Sequence, residues 1–188
     1  MQLSVKNTLI DSVKIVIPEV FQDDRGFFME VYREDQFSEL GLPSKFVQFN
    51  HSGSVQNTLR GLHFQWDPPM GKFMRVTRGT AFLVAVDIRK GSPTLGKWVG
   101  IEASEENRLS VWAPAGFARG FCVVSEYAEI QYLTTGTYNS NCESGILWND
   151  EAVGIEWPVK DPVLSEKDKV AQTLSQWHET EESEHFQY

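Results

Sequence analysis

Nine short runs of β-branched and aromatic residues recur along the chain, each ended by a cluster of turn formers, and this rhythm restricts the fold more than any other feature. The runs are SVKIVI, GFFMEVY, KFVQFNHS, FMRVTR, TAFLVAVDI, KWVGIEA, RLSVWA, RGFCVV and YAEIQYLT. Between them stand DDRG, GLPS, WDPPMG, RKGSPTLG, SEEN, APAG and TGTYNSN, rich in Gly, Pro, Asn, Asp and Ser. Such residues close turns, and many strands at this spacing with little helical periodicity predict an all-β sandwich or barrel. Two short helices are expected: REDQFSEL near residue 33, and SEKDKVAQTLSQW near 165, which opens with Ser165 three residues before Asp168 as a loose capping box. No internal repeat or linker divides the chain. Residues 1–170 read as one domain, and 171–188 as a helix end followed by an acidic tail, HETEESEHFQY, expected to be frayed and solvated.

The 188 residues suffice for a sizeable core, and six Trp and twelve Phe supply large apolar surfaces for it or for an aromatic-lined pocket. A net charge of −9 argues against non-specific nucleic-acid binding, which needs a basic footprint. It leaves room for a small anionic ligand if the scarce Arg and Lys gather locally. No apolar run reaches the length of a membrane span and MQLSVKNTLIDS lacks a signal-peptide core, so no membrane contact and a cytoplasmic setting are expected. Cys122, in a strand-like run, and Cys142, in a loop, read as reduced thiols.

Strand parity orients several polar side chains. In YAEIQYLT, Tyr132 shares a face with Ala128 and Ile130 and should point inward. In KFVQFNHS, Gln48, Asn50 and Ser52 share one face, which parity alone leaves open as a solvent face or a pocket lining. The segment RGLHFQWDPPMGK sets Arg60, His63 and Lys72 within a short stretch around a proline turn. Taken singly, these are an ordinary surface arginine, a hydrogen-bonded strand histidine and a turn lysine.

Taken with their surroundings they read differently. DDRGFFMEVY, VQFNHS, LRGLHFQ, GKFMRV, AVDIRKGSPTLGKWVGIEASEENR, PAGFARGF, EIQYLTTGTY, GILWNDEAVGIEWP and LSEKD occur in order over about residues 12 to 170. In this the chain resembles the nucleotide-sugar 3,5-epimerase family typified by dTDP-4-dehydrorhamnose 3,5-epimerase. The resemblance implies a cupin-type jelly roll (a double-stranded β-helix). It also implies a homodimer with exchanged strands, and an enzyme of deoxysugar or surface-polysaccharide synthesis that inverts carbons beside the ketone of a nucleotide-linked 4-keto-6-deoxy sugar.

That chemistry needs a base with a pKa near neutrality, a positive group at the developing oxyanion and an acid for the opposite face; it requires no redox cofactor and no metal. The resemblance assigns His63 as base, Asp168 as its orienting carboxylate, Tyr132 as acid and Lys72 as the partner of the ketone oxygen. Without it, Asp168 would read as a solvated residue opening a helix. The resemblance also implies contacts to nucleotide, diphosphate or sugar from Phe21, Arg25, Glu30, Gln48, Asn50, Arg60, Glu143 and Lys167. Guanidinium groups suit phosphate, and Gln48 and Asn50 can meet both donor and acceptor edges of a pyrimidine. The resemblance also places Tyr138, a second phenol six residues after Tyr132, near the site, to share the acid role or stack on the base.

The chain departs from the family pattern in three places. Arg119 in GFARGF stands for a ligand-contacting His and is expected to touch phosphate or fill part of the sugar pocket. Phe49 stands where Asp is common and Leu133 where Lys is common. Three alternatives stay open: an epimerase of one carbon or of another nucleotide sugar, a metal-dependent cupin enzyme, and a non-catalytic nucleotide-sugar binder. The second would need several clustered His ligands, and only His51, His63, His178 and His185 exist.

Overall fold

The structure, a computed structural model, describes residues 2–188. In chain order the strands are β1 (Leu3–Asn7), β2 (Lys14–Pro18), β3 (Val20–Asp23), β4 (Gly26–Met29), β5 (Gln48–Val55), β6 (Leu59–Gln65), β7 (Lys72–Arg78), β8 (Thr80–Asp87), β9 (Trp98–Ser104), β10 (Ser110–Ala113), β11 (Phe117–Val123), β12 (Tyr127–Thr134) and β13 (Glu143–Gly145). Helices are few and short: α1 (Glu34–Glu39), α2 (Glu166–Lys169), α3 (Leu174–His178) and a 3-10 turn at Glu181–His185.

Two antiparallel sheets face each other, one ordered β1-β2-β10-β7-β12-β5 and the other β13-β6-β11-β8-β9. From β5 to β8, and again from β10 to β12, each new strand joins the opposite sheet. The chain thus winds around a shared axis, giving the expected all-β jelly roll. The central core lies between the sheets, where Met74, Val76, Val111 and Ile130 meet Leu83, Ala85, Phe121 and Val123.

The five-stranded sheet is also covered on its outer face, which explains the continuous apolar runs in β8 and β11. There Leu62, Phe64, Val84 and Ala118 pack against Trp177 and Phe186. The six-stranded sheet is covered at one end by α1, whose Phe37 packs on Phe73 with ring centroids 5.1 Å apart.

The C-terminal region differs from the sequence expectation twice. The helix expected near 165 breaks after Lys169, because Gln172 is drawn into backbone pairing with β13's continuation: its carbonyl accepts from the Leu147 N–H at 2.7 Å. Tertiary pairing here overrides a good local helical pattern. The tail is likewise folded onto the body. Trp177 is 1% exposed and Phe186 4%, and the 89–91 loop exchanges backbone bonds with Phe186 and Tyr188 through Lys90. Its glutamates face solvent while its aromatics fill the outer core, so acidity misrepresents the segment as solvated. Both cysteines are free, Cys122 in the core and Cys142 half-buried in a loop. Among the described residues no helix is long and apolar enough to cross a membrane.

Trp177→Ala should therefore cost about 3–5 kcal/mol, as for other fully packed large aromatics. Urea unfolding followed by circular dichroism would measure it; a loss below about 1 kcal/mol would mean that the tail does not pack as described.

Candidate functional site

The site begins with a backbone irregularity. Opposite β11, His63 pairs with Arg119 and Arg60 with Phe121, so β6 advances three residues while β11 advances two. The extra residue is a β-bulge, which re-aims side chains. In a regular strand, residues three apart point to opposite faces. Here His63 faces the space between the sheets, and Arg60 also reaches the inner row of β5, donating from Nε to Ser54 Oγ at 3.1 Å. Glycine permits the bulge: Gly61 has φ +127°, and a Cβ there would lie 2.6 Å from Gly120 Cα.

Across the space, β12 carries Tyr132 between Asn50 of β5 and Met74 of β7, and Thr134 lies between Gln48 and Lys72. Gln48, Asn50, His63, Lys72, Tyr132, Tyr138 and Glu143 come together around one cavity of roughly 310 Å³. The polar row of β5 is thus a pocket lining, and Tyr132 points inward as its parity requires. His63 and Tyr132 stand on opposite walls because their strands belong to different sheets.

His63 is oriented from the C-terminal segment. Its Nε2 lies 2.6 Å from Asp168 Oδ1, leaving Nδ1 as the nitrogen without an Asp168 bond. Asp168 is 3% exposed; Ser165 Oγ donates to its Oδ2 at 2.8 Å and accepts from its backbone N–H at 3.2 Å. Burial pushes the Asp168 carboxyl up, but hydrogen bonds from His63, Ser165 and the Gly61 backbone, with the His63 charge, outweigh it and hold it below the usual carboxylate range. The pair suits a base whose charged form must be stabilised.

The other groups have distinct electrostatics. Burial pulls the Lys72 ammonium down to about 8, aided by the charges of Arg119 and Lys167 and opposed by Glu143; its Nζ lies 3.5 Å from the His63 carbonyl oxygen. Burial raises Tyr132, with the Arg60 charge opposing, so the phenol keeps its proton at neutral pH. At the rim Glu143 Oε1 accepts from Tyr138 Oη at 2.8 Å and Lys167 Nζ at 2.5 Å. The Gln48 amide donates to Asn50 Oδ1 at 2.9 Å, and its Oε1 accepts from the Tyr138 N–H at 2.8 Å.

Four sequence-identified residues stand elsewhere. Phe21 and Arg25 line a separate concavity of about 340 Å³ on the β3–β4 hairpin, where Asp23 pairs with Arg25 at 2.5 Å. Glu30 pairs with Arg33 at 3.3 Å beside α1. Arg119 is 3% exposed and lies beneath the cavity, not on its wall: Nε donates to the Val84 carbonyl at 3.1 Å and Nη1 to the Lys72 carbonyl at 2.9 Å. These bonds run to protein backbone.

Two supporting residues escaped the sequence reading. Gln65, 2% exposed, joins the loops on either side of the cavity by donating to the Pro68 and Thr137 carbonyls at 2.8 and 2.9 Å and accepting from the Asn139 N–H at 2.8 Å. Its two-residue offset from His63 was the available signal. Ser165 was visible only as a helix cap, yet its hydroxyl also bonds the carboxylate of Asp168. Among the described residues no three His, Cys, Asp or Glu side chains form a group that could hold a metal.

A family model described as dTDP-4-dehydrorhamnose 3,5-epimerase matches residues 7–176. The chain is 52% identical to the dTDP-4-dehydrorhamnose 3,5-epimerase of Salmonella typhimurium, over 94% of this chain and 97% of that one. It is 38% identical to a dTDP-4-dehydrorhamnose 3-epimerase of Streptomyces niveus, over 89% and 82%. Its fold is similar to that of the dTDP-6-deoxy-D-glucose-3,5-epimerase of Legionella pneumophila, solved in complex with dTDP-4-keto-L-rhamnose. The TM-score is 0.90 at 43% identity, covering 93% of this chain and 94% of that one.

A carboxylate held below its unfolded value stabilises the fold above that value and ceases to do so as pH falls through the folded one. Asp168→Asn should therefore cost on the order of 1–3 kcal/mol near neutrality. The gap from wild type should close as pH is lowered beneath the unfolded Asp value of about 3.9. Urea midpoints between neutral and acid pH read this directly; a gap that stays constant would mean Asp168 is not ionised in the fold.

Proposed function

The chain belongs to the dTDP-4-dehydrorhamnose 3,5-epimerase family, an isomerase family, and from that premise we propose that it epimerises a dTDP-linked 4-keto-6-deoxy hexose at C3 and C5. The substrate would be dTDP-4-dehydro-6-deoxy-D-glucose and the product dTDP-4-dehydro-L-rhamnose. The observation that carries the mechanism is the His63–Asp168 pair on one wall of the cavity with Tyr132 on the other.

A proton beside a ketone becomes removable when the resulting enolate is stabilised. In this reading His63 takes that proton, and Asp168, ionised and 2.6 Å away, stabilises the imidazolium. The Lys72 ammonium, protonated at neutral pH, meets the enolate oxygen. Tyr132, whose burial keeps it protonated, returns a proton from the opposite face, so configuration inverts. Arg60 and Lys167 hold the diphosphate end, and Gln48, Asn50, Tyr138 and Glu143 the nucleotide or sugar. A reducing compartment suits the two free thiols and supports a cytoplasmic setting.

Phe21, Arg25 and Glu30 enter this reading through a second copy of the chain. The β3–β4 hairpin exposes Phe21, Phe27 and Phe28 at 49%, 54% and 61%, and the outer face of β5 exposes Phe49 and Val55 at 61% and 59%. Apolar surface of this extent supports a homodimer in which each hairpin covers the partner's cavity.

Incubation with the 4-keto sugar in heavy water, followed by NMR, should give deuterium at both C3 and C5; uptake at one carbon would make the protein a mono-epimerase, none in folded protein would point to a different nucleotide sugar, and none across a panel of such sugars would leave a binding role. His63→Ala should lower exchange by at least about 10²–10⁴-fold without loss of fold or ligand binding. Near-normal exchange would remove His63 from the mechanism. Mixing His63→Ala with Arg25→Ala subunits, after dissociation and reassociation, should restore up to about a quarter of wild-type activity through hybrid dimers. A mixture no more active than its parents would place Arg25 in the same site as its own His63 or outside both.

A further inference from the structure

Arg119 is a guanidinium buried without a carboxylate partner. Two of its nitrogens are used on backbone carbonyls, Val84 of β8 and Lys72 of β7, and Nη2 is buried with no hydrogen-bond partner in the structure. Its own strand position faces His63 across β6. One side chain therefore ties the five-stranded sheet, in which its own strand β11 pairs with the strand of the candidate base, to the strand of the candidate oxyanion partner in the other sheet.

Burying an arginine is costly, and a neutral residue could bond the Lys72 carbonyl. What a neutral residue could not supply is charge. We propose that Arg119 is a positioning residue acting through Lys72: it pins the Lys72 backbone beneath the cavity and places a second fixed positive charge behind the ammonium. The inference rests on the epimerase reading for its effect on turnover, but not for the coupling between the two side chains.

The groups facing Lys72 come from several elements. Arg119 on β11 and Lys167 on α2 oppose its charge, and Glu143 on β13 favours it. Tyr132 on β12 and His63 on β6 also border the cavity, and the His63 carbonyl accepts from the ammonium at 3.5 Å. Burial is the largest influence and Arg119 the next; together they bring Lys72 to about 8. Burial also lowers Arg119 itself, but a delocalised guanidinium keeps its charge at the pH where an ammonium loses its proton. The result is an alkaline limit to catalysis, set near the working range by a residue that never touches substrate.

Two measurements test this together. The first is the alkaline limb of kcat/KM for deuterium exchange, which reports groups of the free enzyme. The second is the pH midpoint of Lys72 acetylation by acetic anhydride, read by peptide mass spectrometry and independent of turnover. In Arg119→Gln both should move up by about half a unit to one unit. Arg119→His replaces Arg119→Gln if the latter does not fold, because imidazole is neutral in that pH range. An unmoved Lys72 midpoint would overturn the coupling. A moved midpoint with an unmoved limb would overturn the claim that Lys72 sets the limit. Wild-type protein that exchanges no deuterium across the panel of sugars would instead defeat the epimerase reading, while the acetylation midpoint would still decide the Arg119–Lys72 coupling.

Discussion

The backbone contact between Gly61 and Gly120 is the constraint around which the cavity is arranged. With no Cβ on either residue, β6 and β11 approach closely enough for β6 to carry an extra residue and stay in the sheet. Without that extra residue, Arg60 and His63 would lie on opposite faces. The same approach keeps Leu62 and Phe64 pointing outward, where they found the second core layer under Trp177 and Phe186. One local distortion thus serves both the site and the packing of the C-terminal segment that supplies Asp168.

The second organising feature is charge. A chain of net charge −9 gathers Arg60, Lys72, Arg119 and Lys167 at or beneath one cavity, and compensates them with Glu143 and Asp168. Burial makes these cations unequal. Arg60 and Lys167 stay largely solvated at the rim and fit an anion's long-range attraction, whereas Lys72 and Arg119 are desolvated and interact strongly at short range. A nucleoside diphosphate with a ketone at its far end would meet the solvated charges first and the desolvated ones last.

The sequence made the all-β class legible because alternation and turn chemistry are local signals, and Tyr132's inward parity follows from the same alternation. β6 is missing from the nine strand-like runs, since Arg60 and Gly61 interrupt its pattern at the bulge; His63 reads there as a strand histidine, and only motif resemblance gives it a role. Asp168 read locally as a helix-opening acid, because a pairing with His63 across the fold leaves no periodic trace. The tail misled for a related reason: its glutamates are adjacent in sequence, while Trp177 and Phe186 are dispersed and show their common face only once folded. Arg119 suggested a ligand contact by position, and its burial could not be read from GFARGF.

The partners in the His63–Asp168 bond lie 105 residues apart, on β6 and α2. Every strand of both sheets precedes α2 in the chain. As the protein emerges from a ribosome, its cavity walls can therefore form while the histidine still has no carboxylate to orient it. The segment that follows the last strand carries Asp168, Lys167 and the outer aromatic cover together. A chain cut short before α2 would retain every strand of both sheets yet lack the carboxylate that holds His63.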